Sequence, residues 1–528
     1  MTRSGSDLAR LASRGLIGRR RFLGATAAAG IAASAGTLFG TSAAAQAPQR
    51  GGRLVLGLGG GATTDSLDPA LASGSAMFVV NKTWGDTLVE SHPETGEALP
   101  GLAESWEASP DATVWTFRLR PGVRFHDGTE MTVADAVETL RRHADEASQS
   151  GALGLLGSLT GIEEREGALV ITLDGGNADL PLLLTDYHLM IQPGGGREDP
   201  TAAIGTGPYR LTQFQPGVRA EFERNADDWQ GDRGFVDGAE IIMINDDTAR
   251  VAALGSGRVD LIDSVNPKTV PLLERGPGVE ILRTAGKGFY CFLMHCDTPP
   301  FDNPDLRMAL KLAVDRQAIL DTVLAGYGTL GNDFPVNEAY ALFPEGIPQR
   351  QYDPEAARAS YERSGHSGPI TLRTSEAAFP GAVDAAVLFQ QSAAQAGIEI
   401  EVVREPADGY WTNVWNVQPF CASYWGGRPT QDSRYSTSYI STAEWNDTRW
   451  KVPEFDAKLL EARAELDEAR RAELYRAMAV MLNEQGGLIL PVFNDYVNAT
   501  SARLRGYVHD IGNDLSNGRV VSRVWLDG

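Results

Sequence analysis

The sequence predicts a mixed α/β protein built from more than one compact unit, on three observations. Segments of strand character alternate with segments of helical character along the whole chain. The 528 residues, 42% of them apolar, are enough to enclose more than one core. Beyond the amino-terminal region no hydrophobic run approaches membrane-spanning length, no tandem period appears, and no long low-complexity linker separates the units. The units are therefore interleaved or closely packed.

The first 45 residues read as an export signal. Gly18-Arg19-Arg20-Arg21-Phe22-Leu23 precedes an uncharged, alanine-rich run from Gly24 to Gln46, the pattern of the twin-arginine route. The run is too weakly hydrophobic to be held in a bilayer. Ala43-Ala44-Ala45 offers a small-x-small cleavage pattern, with the mature chain beginning at Gln46. No cysteine lies near that point, so the mature chain is expected in the periplasm without a lipid anchor. The formal charge of the whole chain is −22; residues 1–45 carry six arginines and one aspartate, a net +5, so the remainder carries −27. Such acidity excludes nucleic acid as a partner and points to solubility rather than to a ligand.

Residues 53–56, 240–244, 398–403 and 488–492 are apolar enough to be buried strands. Helix starts are marked by Asn303-Pro304, by Asp353-Pro354 and by the Thr132-x-x-Asp135 capping box; the second of these helices stops at Gly365. A helical pair spans 453–485, and its stripe of Leu474, Met478, Met481 and Leu482 is expected to pack in a core.

No motif for covalent or metal chemistry appears. Cys291, Cys296 and Cys421 show neither CxxC nor zinc-ligand spacing and are expected as free, buried thiols, with a Cys291–Cys296 bridge left open. The seven histidines are scattered, and GxSxG and HExxH are absent, so a secreted hydrolase is disfavoured and neither cofactor nor metal is expected. Gly57-Leu58-Gly59-Gly60-Gly61-Ala62 imitates a dinucleotide fingerprint, but Thr63-Thr64-Asp65-Ser66-Leu67-Asp68-Pro69 follows where a helix should begin.

Several motifs, read in order, carry a family resemblance. They are Leu67-Asp68-Pro69-Ala70, Leu102-Ala103-Glu104-Ser105-Trp106-Glu107, the run from Phe117 to Gly128, Gly205-Thr206-Gly207-Pro208-Tyr209, Ser256-Gly257-Arg258-Val259-Asp260, the run from Phe301 to Leu310, and Ala313-Val314-Asp315-Arg316. In order and spacing the chain resembles the family 5 solute-binding proteins of ABC importers, the dipeptide, oligopeptide and nickel binding type. The resemblance implies a two-lobed periplasmic binding protein fold, type II and cluster C, with an extra subdomain inserted in the first lobe. It places the first lobe at 46–79, 201–283 and 491–528, the insertion at 80–200 and the second lobe at 284–490. It also implies a monomer that captures a peptide or peptide-like small molecule and hands it to ABC importer permease subunits, a hinge that shifts between open and closed forms, and no chemistry on the ligand. A nickel-chelate or haem carrier and a periplasmic ligand sensor share the same fold. The run from Phe117 to Gly128 reads as a hairpin whose turn His126 satisfies.

Residues 410–450 carry five of the ten tryptophans, Trp411, Trp415, Trp425, Trp445 and Trp450, with Tyr424, Tyr435 and Tyr439 among them. Aromatic density of this kind can wall a pocket or fill a core. Tyr424 and Trp425 are expected at the cleft. In peptide-binding relatives a tryptophan in this segment is followed three residues later by an aspartate that pairs with the peptide's α-ammonium; after Trp425 and Gly427 that position is Arg428. Two readings follow: Arg428 meets a carboxylate of the ligand, or it pairs with Asp432. Asp432 itself could serve as an amine anchor if the loop is shifted. The resemblance also nominates Met77, Phe78, Asn332, Asp333 and Asn494 as cleft residues.

Overall fold

Three sheets organise the chain. The computed structural model describes residues 47–527, apart from 146, 407–409 and 444, with the backbone alone at Trp411 and Thr412. The expected export signal and its cleavage point lie outside the described residues. None of the described helices is long and apolar enough to cross a membrane.

The first sheet has seven strands in the order Val279–Thr284, Tyr496–Ser501, Leu261–Ile262, Arg53–Leu58, Gly238–Met243, Arg219–Arg224 and Tyr209–Gln215. Arg53–Leu58 runs parallel to both of its neighbours. Its run of leucines is covered on one face by helix Gly74–Trp84, in which every residue from Ala76 to Trp84 is buried. The second sheet has six strands in the order Gly328–Leu330, Leu488–Asn494, Phe289–Met294, Phe420–Trp425, Ile370–Thr374 and Ile400–Arg404. A third, antiparallel sheet of Ala103–Ala108, Val114–Leu119, Ala168–Leu173 and Leu159–Arg165 has a separate core around Phe117, Leu140 and Ile171.

The chain passes between the first two sheets twice, through residues 285–288 and again at Asp495, and Arg283 is ion-paired with Asp495 across these crossings. The expected boundary between 490 and 491 therefore falls inside strand Leu488–Asn494. Pro491 does not end that strand because the ladder shifts register opposite it, between Tyr290 and Phe292, where the missing N–H breaks no ladder bond.

The helix signals act as their chemistry requires. Asn303 and Asp353 accept two backbone N–H groups each, Thr132 and Asp135 close a capping box, and Gly365 stops its helix at φ +66°. Helices Pro453–Ala464 and Glu468–Gln485 pack Leu474, Met478, Met481 and Leu482 against the second sheet. The three cysteines are free, with Cys291 and Cys421 buried and Cys296 half-buried.

The run from Phe117 to Gly128 departs from the expected hairpin. Its first arm pairs with Ala103–Ala108 and Ala168–Leu173, and its second forms a single bridge, Arg124 to Glu130. His126 lies 2.9 Å from the Gly207 carbonyl through Nε2, so it pins the Gly205–Tyr209 turn rather than its own.

A buried charge joins distant parts of the first sheet's surroundings. Asp86, 1% exposed, accepts from Arg233 twice at 2.8 Å, from Trp229 Nε1 at 2.9 Å, from Arg519 at 3.1 Å and from Thr206 at 3.1 Å. Burial alone would raise its pKa, but the Arg233 and Arg519 guanidiniums hold it far below the ordinary carboxylate value. Arg233 also pairs with Asp228 at 2.8 Å and Arg519 with Glu90, so losing the Asp86 charge leaves each guanidinium one counter-charge and removes the buried one they share, at a cost of roughly 1–3 kcal/mol. Asp86→Asn is therefore expected to lower unfolding stability by about that amount in urea titrations with the slope unchanged; a loss under about 1 kcal/mol would contradict the assignment.

Candidate ligand-binding site

Strand Phe420–Trp425 ends where the chain crosses between the two sheets. Trp425 sits opposite Phe289, the first residue after one crossing, and Phe289 sits opposite Phe493, shortly before the other. Loops leaving strands at such a junction face the space between units, where ligands are commonly taken. The loop after Trp425 is tightly built. A Cβ at Gly427 would meet Lys287 Cβ at 2.7 Å, so only glycine lets the two segments approach. Thr430 then caps helix Gln431–Ser438 by accepting from Ser433.

Trp425, 6% exposed, is fixed from behind. Its Nε1 donates to Asp447 Oδ2 at 3.0 Å, and Trp415 Nε1 donates to the same oxygen at 3.0 Å. The Arg434 guanidinium lies 4.4 Å from the centre of the Trp425 ring and 5.6 Å from that of Phe289. Arg434 is fully buried, its hydrogen bonds go to Gly426 O and Ser438 Oγ, and it has no ion-pair partner among the described residues. Asp447 is buried too, and its other oxygen has no hydrogen-bond partner among the described residues. Desolvation therefore pushes its carboxyl up to about 7, against the pull of the two indole N–H groups and of Arg434.

Arg428 reaches the front of this assembly. Its guanidinium is 5.9 Å from the Trp425 ring centre and donates to Gly427 O at 3.3 Å, while its backbone N–H donates to Tyr340 Oη at 3.1 Å. Burial, and then the Arg434 charge, push its pKa below the ordinary value. Lys287 lies behind the same loop, 4.8 Å from the Tyr340 ring centre, and burial lowers its amine to about 8. Among the described residues none of Arg428, Arg434 and Lys287 forms an ion pair within 4 Å. Three cations without direct counter-charges among the described residues thus surround one loop of a strongly acidic protein.

Two depressions flank the strand end. One, of about 500 Å³, is lined by Trp415, Tyr424, Trp425, Gly426, Arg428 and Trp445. The other, of about 410 Å³, shares Tyr424, Trp425 and Gly426 and adds Gly427, Asn494, Glu376 and the stacked rings of Tyr290 and Phe379.

Of the ten residues nominated from sequence, Tyr424, Trp425, Gly427, Arg428 and Asn494 come together here. The other five lie elsewhere. Asp432 does not pair with Arg428: it is buried, accepts from Arg463 Nε at 2.9 Å, and burial pushes its carboxyl up to about 6. Asp432 also lies outside the linings of the two depressions beside Trp425. Asp333 is fully buried between Arg316 at 2.7 Å and Arg350 at 2.9 Å and accepts the Leu490 N–H, which fills its acceptor sites. Asn332 is spent on Pro348 O, Arg350 N and Asn483. Met77 and Phe78 face the core from helix Gly74–Trp84, with the Phe78 ring packed edge-on against Tyr187 at 5.0 Å. Sequence reasoning missed Asp447, Arg434 and Lys287, which act from behind the wall and carry no motif. Among the described residues no three His, Cys, Asp or Glu side chains gather as a metal site.

Residues 97–447 match the family model of bacterial extracellular solute-binding proteins, family 5. The chain belongs to this family. Among the curated relatives this solute-binding protein is similar to di/tripeptide-binding protein 1 of Pseudomonas aeruginosa, with 25% identity over 84% of this chain and 89% of the relative. It is also similar to the glutathione-binding protein GsiB of Escherichia coli, with 26% identity over 86% and 91%. Among solved structures HbpA2 from Haemophilus parasuis shares the fold, with a TM-score of 0.80 and 22% identity over 90% of this chain and all of that one.

The Asp447 carboxyl gives the wall a pH signature. In the unfolded chain it ionises near pH 4, and in the folded protein near pH 7. Between these values the folded state binds the extra proton, so this group's contribution to stability falls as pH rises through that window and is level above it. Intrinsic tryptophan fluorescence of the solute-binding protein is expected to titrate with a midpoint near pH 7, a transition absent in Asp447→Asn. An unchanged titration in that variant would contradict the assignment.

Proposed function

We propose that this solute-binding protein captures a peptide or peptide-like small molecule bearing a carboxylate, held by Arg428, and delivers it to the permease of an ABC importer. One observation carries the reading: Arg428 lines an open aromatic depression and has no carboxylate partner among the described residues, while Asp432 is taken by Arg463. A guanidinium partly withdrawn from water binds a carboxylate through parallel charge-assisted hydrogen bonds. Relatives named for di- and tripeptides and for glutathione support a peptide-like cargo.

Capture and release need no bond to be made or broken. A ligand that touches both sheets' surroundings stabilises the closed arrangement by its differential contacts, and a permease reads that arrangement. The protein acts as a non-enzymatic monomer, and its amino-terminal Arg19-Arg20-Arg21 segment directs twin-arginine export to the periplasm with cleavage after Ala45.

The test is native mass spectrometry of protein purified from its source without denaturation, followed by release and identification of the bound mass. The expected result is a carboxylate-bearing compound whose occupancy collapses in Arg428→Ala, since loss of about 1.5–3 kcal/mol weakens binding roughly 10- to 150-fold. A ligand retained by Arg428→Ala at the wild-type level would overturn the anchor.

A further inference from the structure

We propose that the ligand presents a flat aromatic ring beside its acid, and that Tyr424 and Trp445 hold this ring in the depression fronted by Arg428. The proposal rests on the reading of Arg428 as a carboxylate anchor and extends it to the rest of the ligand.

The exposure pattern points there first. Tyr424 is 51% exposed and Trp445 49% exposed, and among the described residues they are the only Phe, Tyr or Trp side chains in open exposure. Both line the same depression as Arg428. Large exposed apolar groups gathered at one concave place mark a binding surface, whereas single ones scattered over a protein need no explanation.

The wall is rigid. The rings of Trp415, Trp425 and Trp445 form a triangle with centroid separations of 6.3 Å, 6.3 Å and 6.0 Å and interplanar angles of 69°, 74° and 52°. Two of the three indoles are tied to Asp447, so Trp445 packs against two hydrogen-bonded rings. Such a wall offers edges and faces of fixed orientation rather than a deformable aliphatic surface. An aromatic ring gains from that geometry through its quadrupole, roughly 2- to 13-fold per ring pair beyond the area it buries. A branched aliphatic chain of similar size gains the area alone. The volume of about 500 Å³ accommodates a ring with its linker.

Isothermal titration with four probes tests this: N-acetylphenylalanine, N-acetylleucine, N-acetylphenylalanine amide and 3-phenylpropanoate. Wild-type protein is expected to bind N-acetylphenylalanine at least about tenfold more tightly than N-acetylleucine, about 1.4 kcal/mol. In Trp445→Ala, with its melting temperature checked against wild type, that ratio falls to below about threefold while weak binding of both acids persists. Arg428→Gln weakens both acids and keeps their ratio. Equal binding of the two acids by wild type, a ratio unmoved in Trp445→Ala, or no binding of any probe at millimolar concentration would overturn the aromatic subsite. If the amide binds as tightly as the acid and the aromatic ratio stands, the anchor reading fails and the ring subsite remains. Tighter binding of N-acetylphenylalanine than of 3-phenylpropanoate identifies an acylated amino acid or peptide as the source of the ring, and the reverse identifies a free aromatic acid; either supports the subsite.

Discussion

The site depends on the way Trp425 is held. Its indole N–H is tied to a buried carboxyl that also holds Trp415, and its ring lies against a buried guanidinium. With both edge and face occupied, the side chain cannot turn away, and the loop that follows starts from a fixed point. Gly427 pressed against Lys287 and Thr430 capping the next helix then leave Arg428 little freedom. Pre-organisation of this kind lowers the entropic cost of binding, because the wall and the proposed anchor are ordered before a ligand arrives.

The electrostatics follow from the same packing. Arg434 and Lys287 are too buried to touch a ligand, but they place positive charge behind the wall at a low effective dielectric, where it is felt more strongly than at the surface. The chain as a whole is strongly acidic, so the field at this loop opposes that of its surroundings. Asp447 would offset it only when ionised, and its raised pKa keeps it substantially protonated at and below neutrality. Among the described residues next to Trp425, the Arg428 and Arg434 guanidiniums outnumber the Asp447 carboxyl whether or not it is ionised.

Much of the fold was legible because it is written in short-range chemistry. Asn303, Asp353, Thr132 and Gly365 announce helix ends through bonds to their own backbone neighbours, and the apolar runs of the central strands need no partner to be recognised. Where long-range pairing decides, the reading departs from the structure. Pro491 looks like a boundary until the register shift opposite it is seen, and the second arm of the expected 117–128 hairpin finds no strand to join. The site divides the same way. Tyr424, Trp425 and Arg428 stand out as a dense aromatic run with a basic residue at an acidic position. Asp333 and Asp432 read as available carboxylates, and only the fold reveals that Arg316, Arg350 and Arg463 consume them. Asp447 and Arg434 had no signal, since a group acting through a neighbour's back is indistinguishable from any buried polar residue.

The proposed carboxylate anchor depends on the charge at position 428. Reversing it with Arg428→Asp places an acid three residues after Trp425, in the depression lined by Trp415, Tyr424 and Trp425. Titration calorimetry of wild type and variant against a matched pair, an N-acetylated dipeptide with a free carboxylate and the same dipeptide with a free amine and an amidated end, reads the preference directly. The wild type should favour the anionic peptide and Arg428→Asp the cationic one, while a variant that keeps the wild-type preference would show that the anchor lies elsewhere.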